Sequence, residues 1–114
     1  MAAREPAEDA VERQVRAYNR GDLEEFVACY AEDVVFEDGD GVGHMSGCEE
    51  MRERYGRLFA SAPSLHGEIV TRIRIASYVV DEERITGRPD GDAHAVAIYR
   101  LDGDGLIDRV RFLR

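Results

Sequence analysis

Val34-Val35-Phe36-Glu37-Asp38 forms a short strand between helical stretches, and the neighbouring elements can be assigned outward from it. Alternation puts Val34, Phe36 and Asp38 on one face. Two apolar side chains turn that face inward, so the third inward position carries a carboxylate. A carboxyl in an apolar interior has a raised pKa and becomes a proton acceptor near neutral pH. The pattern by itself favours a second reading, in which the strand ends at Glu37. Asp38 then opens the turn Asp38-Gly39-Asp40-Gly41.

On the N-terminal side, residues 1–6 are expected to form a flexible tail, and residues 7–114 a single domain. Ala7, Val11, Val15 and Tyr18 recur at helical spacing. Gly21 ends this helix in the position that glycine favours. Asp22 caps a second helix, with Glu25 completing a capping box. Leu23, Phe26, Val27 and Tyr30 form its apolar stripe. On the other side of the strand, Gly39-Asp40-Gly41-Val42-Gly43 is a glycine-rich loop. Ser46 and Glu49 cap a third helix with Met51, Tyr55, Leu58 and Phe59 on one face. Ser61-Ala62-Pro63-Ser64 ends it.

Beyond Pro63 the period changes to two. Leu65 to Ala76 puts Leu65, Ile69, Ile73 and Ile75 on one face, with a tight turn at Ala76-Ser77. Tyr78 to Arg88, Ala93 to Leu101 and Leu106 to Arg114 follow as strands, separated by Pro89-Asp90-Gly91-Asp92 and Asp102-Gly103-Asp104-Gly105. Helices come first and a four-strand antiparallel meander comes last, which makes the class α+β.

The chain has 114 residues, with 15 arginines, no lysine and 24 acidic residues, a net charge of −9. That sign argues against nucleic acid and anionic membranes as partners. No apolar run approaches the ~20 residues that cross a bilayer. The start Met1-Ala2-Ala3-Arg4-Glu5-Pro6 lacks the apolar stretch of a secretory signal, so a cytoplasmic location is expected. Cys29 and Cys48 are then free thiols. His44, His66 and His94 have no metal-ligand spacing. His66 and His94 alternate away from the core, and His44 sits in the glycine-rich loop. No metal or organic cofactor is implied.

Several stretches together carry a family resemblance. They are Tyr18-Asn19-Arg20-Gly21-Asp22-Leu23, Tyr30-Ala31-Glu32-Asp33-Val34-Val35-Phe36-Glu37-Asp38, Ser46-Gly47 before Met51-Arg52-Glu53-Arg54-Tyr55, and Tyr99-Arg100-Leu101-Asp102-Gly103-Asp104-Gly105-Leu106-Ile107. The chain resembles the SnoaL-like and ketosteroid-isomerase-like branch of the nuclear transport factor 2-like superfamily. The resemblance implies a cone in which three N-terminal helices pack on a curved antiparallel sheet around an apolar pocket. It implies Asp38 as general base and Tyr55 in a hydrogen-bond network, with Tyr30 as a further member. Tyr18, Phe36, Phe59, Ala97 and Tyr99 are further candidates for the pocket lining, although the buried positions of Tyr18 and Tyr30 favour plain core packing. The resemblance also turns Glu82 and Arg84 inward, where the residue pattern equally allows a solvated strand.

Two departures from the family pattern stand out. Gln14 replaces an oxyanion-donating Tyr, and Ala97 replaces a protonated Asp donor. Losing one such donor costs ~100–1,000-fold in rate, so steroid isomerisation itself is not expected. Gln14 lies on the apolar stripe of its helix, where it either faces the pocket or sits half-exposed at the edge. Facing the pocket, its amide can donate a hydrogen bond, and it is expected to approach Tyr55 there, directly or through a shared water.

Two functions follow from this. In the first, the chain is a small-molecule enzyme in which Asp38 moves a proton on an apolar carbonyl compound and Gln14 and Tyr55 bond the oxyanion. Isomerisation, cyclisation and dehydration all fit. In the second, it is a non-catalytic ligand-binding or dimerisation module, which Asp38 pointing to solvent would favour. Epoxide hydrolysis ranks last, because Glu82, Arg84 and Asp38 imitate its constellation poorly. Val96 and Ile98, on the outer face of their strand, are expected to be buried in a homodimer, the alternative being cover by the chain's own tail, residues 1–6.

Overall fold

The computed structural model describes residues 8–114. The expected tail 1–6 and the first helical position, Ala7, lie outside the described residues. Three helices and six strands follow in the order α1 (Ala10–Arg20), α2 (Leu23–Ala28), β1 (Tyr30–Asp38), β2 (Gly43–Ser46), α3 (Cys48–Ser61), β3 (His66–Ile75), β4 (Tyr78–Thr86), β5 (Ala93–Leu101) and β6 (Ile107–Leu113).

Local signals explain the helix ends. Asp9 caps α1 by accepting from the Glu12 amide, so the helix starts at Ala10, three residues later than the helical spacing begins. Gly21 closes α1 at φ 68°, and its amide and that of Asp22 satisfy the Tyr18 and Ala17 carbonyls. Asp22 caps α2 through the Glu25 amide. The cap of α3 is Gly47, not Ser46, because Ser46 is still paired with Val35 in β2. Instead Glu50 reaches back to the Ser46 amide.

The sheet has the order β2-β1-β6-β5-β4-β3. It is mixed: β1 runs parallel to β6, and the other pairs are antiparallel. The glycine-rich loop expected after β1 is a hairpin whose second arm is β2. The helices cover one face, where Val11, Phe26, Val27 and Met51 meet Val34, Phe36, Val79, Ala97, Ile107 and Val110. Full burial of each large apolar side chain contributes about 1.5–3 kcal/mol.

Two features of the sheet revise the expected faces. A bulge between Ile69 and Thr71 leaves Val70 without a partner in β4. One extra residue exchanges the faces, so Ile69 points inward while Ile73 and Ile75 are exposed on the outside. In β4 the buried positions are Val79, Asp81 and Glu83. Glu82 and Arg84 therefore lie on the outer face, where Glu82 bonds Thr71 and His94. Gly87 ends β4 at φ 78°, and a Cβ there would collide with the Ser64 carbonyl, so only glycine fits.

Candidate functional site

Between the helices and the inner face of the sheet lies a cavity of about 280 Å³. Helix α1 contributes Gln14, Val15 and Tyr18, α2 contributes Phe26, and α3 contributes Tyr55 and Leu58. From the sheet come Tyr30, Ile69, Glu83, Ile85, Ala95, Tyr99 and Phe112. Gly67, Arg88, Pro89, Asp90 and Arg114 complete the lining. Aromatic rings of the lining pack tightly on one another, with Phe26 and Tyr55 centroids 4.7 Å apart and Phe26 and Tyr30 centroids 5.2 Å apart.

A directed hydrogen-bond chain runs along one wall. The Tyr30 hydroxyl donates to Gln14 Oε1 at 3.0 Å. Gln14 Nε2 donates to the Tyr99 hydroxyl at 3.2 Å. The Tyr99 hydroxyl donates to Glu83 Oε1 at 2.8 Å. Every donor points towards the carboxylate, so the polar groups are satisfied in sequence. Gln14 is only 4% exposed, which decides between its two expected positions. It meets Tyr99 and Tyr30 rather than Tyr55.

Glu83 is the ionisable group at the end of this chain, and it is 7% exposed. Burial pushes its carboxyl up to about 7, with the Tyr99 hydrogen bond pulling it down and Asp81 pushing it up further. Burial also raises the Tyr18 hydroxyl to about 12, and raises those of Tyr30, Tyr55 and Tyr99. All four phenols stay protonated at neutral pH. Among the described residues, the Tyr18 and Tyr55 hydroxyls have no protein partner within hydrogen-bond distance, and both line the cavity.

Asp38 does not lie in a closed pocket lined by Val34, Phe36 and Tyr55. It is exposed, and its Oδ1 accepts from the Asp40 and Val42 amides at 3.0 Å each. The turn amides need an acceptor and the carboxylate supplies it, as the turn reading of the pattern expects. Asp38 sits instead in an outer depression with Asp40, His44 and Phe112.

Of the other expected pocket residues, Tyr18, Tyr30, Tyr55, Gln14 and Tyr99 do line the cavity. Phe36 does not; it is fully buried behind the wall, stacked on Phe112. Phe59 packs edge-on against Tyr18 at 5.6 Å and borders a separate crevice. Ala97 is buried in the core beside Asp81, its neighbour on β4. Glu82 and Arg84 are excluded by their outward orientation.

Glu83 escaped the sequence reading because β4 offers two nearly equal faces. Val79, Asp81, Glu83 and Ile85 alternate with Tyr78, Val80, Glu82 and Arg84, and each set mixes apolar and charged residues. The available signal was Arg72, which meets Asp81 across the β3–β4 pair. Arg72 Nε and Nη2 bond both Asp81 oxygens at 2.6 and 2.8 Å, and Asp81 is 0% exposed. That pairing commits the odd-numbered face of β4 to the interior. Among the described residues, no three His, Cys, Asp or Glu side chains are grouped to hold a metal ion, and no helix is long and apolar enough to cross a membrane.

Solved structures share this architecture. An uncharacterised cystatin-fold protein of Novosphingobium aromaticivorans is 27% identical, with a TM-score of 0.83, covering 92% of this chain and 95% of its own. A candidate polyketide cyclase of Sinorhizobium meliloti is 20% identical, with a TM-score of 0.75 and coverage of 90% and 92%. A candidate ketosteroid isomerase of Kribbella flavida is 18% identical, with a TM-score of 0.76 and coverage of 91% and 73%. No curated protein matches the sequence. The SnoaL-like domain matches residues 11–110. With that match spanning both the helical layer and the sheet, the chain belongs to the SnoaL-like domain family and has the nuclear transport factor 2-like fold.

Proposed function

We propose that the cavity binds a small apolar molecule bearing a carbonyl group and that Glu83 moves a proton on it. The observation that carries this reading is the Glu83 carboxyl, buried in the cavity wall, held by Tyr99 and raised to about 7. Near that pH it divides between its two states, so it both accepts and returns a proton. The Tyr18 and Tyr55 hydroxyls supply hydrogen bonds to a carbonyl oxygen as negative charge develops on it. Isomerisation, cyclisation and dehydration share this step. The expected base thus moves from Asp38 to Glu83, and Gln14 becomes a positioning residue acting through Tyr99.

Hydrogen–deuterium exchange next to the carbonyl of a panel of apolar ketones, followed by proton NMR, tests the reading. Wild-type protein and Asp38→Asn should catalyse exchange, and Glu83→Gln should lose it. Exchange that survives in Glu83→Gln would remove Glu83 as the base. One observation favours a second reading, a ligand-binding module without catalysis: Asp38 points to solvent. Ketones that bind without exchange would select it.

The proposal extends to the setting of the molecule. Residues 7–114 act as one domain, in a cytoplasm where Cys29 and Cys48 stay reduced. Two copies pair through the outer sheet face around Val96 and Ile98.

A further inference from the structure

The geometry points to an amphipathic anion as the occupant of the cavity, with its apolar body inside and its acidic head group at the rim between Arg88 and Arg114. This rests on the small-molecule reading above and narrows its substrate class. The chain carries a net charge of −9, yet two guanidinium groups line this cavity. Arg88 follows β4 directly and its side chain is only 22% exposed. Arg114 is exposed and lies over the Phe112 ring, 5.5 Å from its centroid. The acid beside them, Asp90, is 87% exposed and 3.8 Å from Arg88, so its carboxylate is largely solvated.

The field of both cations enters the cavity. Burial raises the Tyr18 and Tyr55 hydroxyls, Glu83 adds to that rise, and Arg88 and Arg114 both pull against it. The interior offers Val15, Phe26, Leu58, Ile69 and Ile85 to an apolar body. Glu83 fixes the orientation. An anionic head beside it would meet a second, partly ionised carboxylate, whereas at the rim it meets two guanidiniums. A carboxylate, sulfonate or phosphate head satisfies the same chemistry.

Two fluorescent probes with one apolar skeleton provide the test: anilinonaphthalene sulfonate and its uncharged parent, phenylnaphthylamine. At low salt, wild-type protein should bind the sulfonate about tenfold more tightly, a preference that salt erodes. Arg88→Gln combined with Arg114→Gln should abolish the preference by weakening the sulfonate far more than the uncharged probe. Asp90→Asn should enlarge the preference by about twofold, since it removes the opposing charge. Ile69→Trp, which fills the cavity, should weaken both probes.

Equal affinities in the wild type, or a preference that survives the double substitution, overturn the anion inference and leave the cavity reading standing. Probe binding untouched by Ile69→Trp puts the probes elsewhere and also overturns it. If neither probe binds, the small-molecule reading fails together with the inference.

Discussion

The Tyr99 hydroxyl reaches diagonally across two strands to hold Glu83 Oε1 at 2.8 Å. In the β4–β5 register Glu83 faces Ala95, and Tyr99 faces Val79, so the contact spans four residues of strand. The long tyrosine side chain bridges that distance, and the residue directly opposite Glu83 is the small Ala95. Tyr99 receives its own hydrogen bond from Gln14, so the orientation of the phenol is fixed from behind. A buried carboxyl is thereby held in one place while its charge is tuned by burial and by one hydrogen bond.

Tyr99→Phe should raise the Glu83 pKa above its value of about 7. The lost hydrogen bond favours the ionised form, so its removal favours the proton. Gln14 Nε2 also loses its acceptor, at a cost of ~1–3 kcal/mol in stability. Carboxyl-selective NMR titration of both proteins measures the first effect, and chemical denaturation the second. A Glu83 pKa that falls or stays put would show that Tyr99 does not tune the carboxyl.

Glu83 should make the protein less stable as pH rises. Its carboxyl moves from 4.5 to about 7 on folding, so between these values the native state binds more protons than the unfolded chain. Stability therefore declines as pH rises through that window, by roughly 3 kcal/mol at most. Below pH 4.5 the penalty is absent. Glu83→Gln keeps an oxygen for Tyr99 and carries no charge, so it should be the more stable protein at pH 8 and equal to wild type at pH 4. Urea denaturation at the two pH values provides the comparison. A variant less stable than wild type at pH 8 would contradict the burial argument.

Much of the architecture was legible because it rests on local chemistry. The caps at Gly21 and Asp22 and the strand limits of β5 follow from residues within a few positions of one another. The strand β2 was hidden because Gly39-Asp40-Gly41-Val42-Gly43 carries turn residues, and Gly43 pairs only once the hairpin forms. The bulge at Val70 has no sequence mark, yet it turns Ile73 and Ile75 outward. The cavity residues on the helices were accessible from helical spacing together with the family resemblance. Those on β4 were not, since either face of that strand mixes charge with apolar residues. Long-range partners, Arg72 for Asp81 and Tyr99 for Glu83, decide which face is buried.

Arg72 and Asp81 should be strongly coupled in stability. Asp81 is fully buried and bonded at both oxygens, and Arg72 alone supplies the bidentate partner. Arg72→Met leaves a buried carboxylate uncompensated, an expected loss of ~3–5 kcal/mol. Arg72→Met combined with Asp81→Leu removes both charges and should recover most of that loss. A double-mutant cycle by denaturation gives the coupling. Additive losses would mean that the pair does not act as a unit.

The outer face of the sheet should carry a homodimer contact. Ile73 is 51% exposed, and its neighbour across β3–β4 is Val80, which in turn faces Ile98 on β5. Val96 and the exposed Leu113 form the adjoining row. An isolated chain leaves this apolar strip in water, although the charged groups Glu82, His94 and Arg111 border it. A two-fold axis would bury the same strip on both copies. Sedimentation equilibrium at micromolar concentration should therefore give twice the single-chain mass of 12.8 kDa. Ile73→Asp puts a charge on an already exposed position, so it should leave the fold intact and return the mass to one chain. Its circular dichroism melt should match that of wild type diluted to the monomer. A wild-type mass of one chain would rule the dimer out and leave Val96 and Ile98 to another partner.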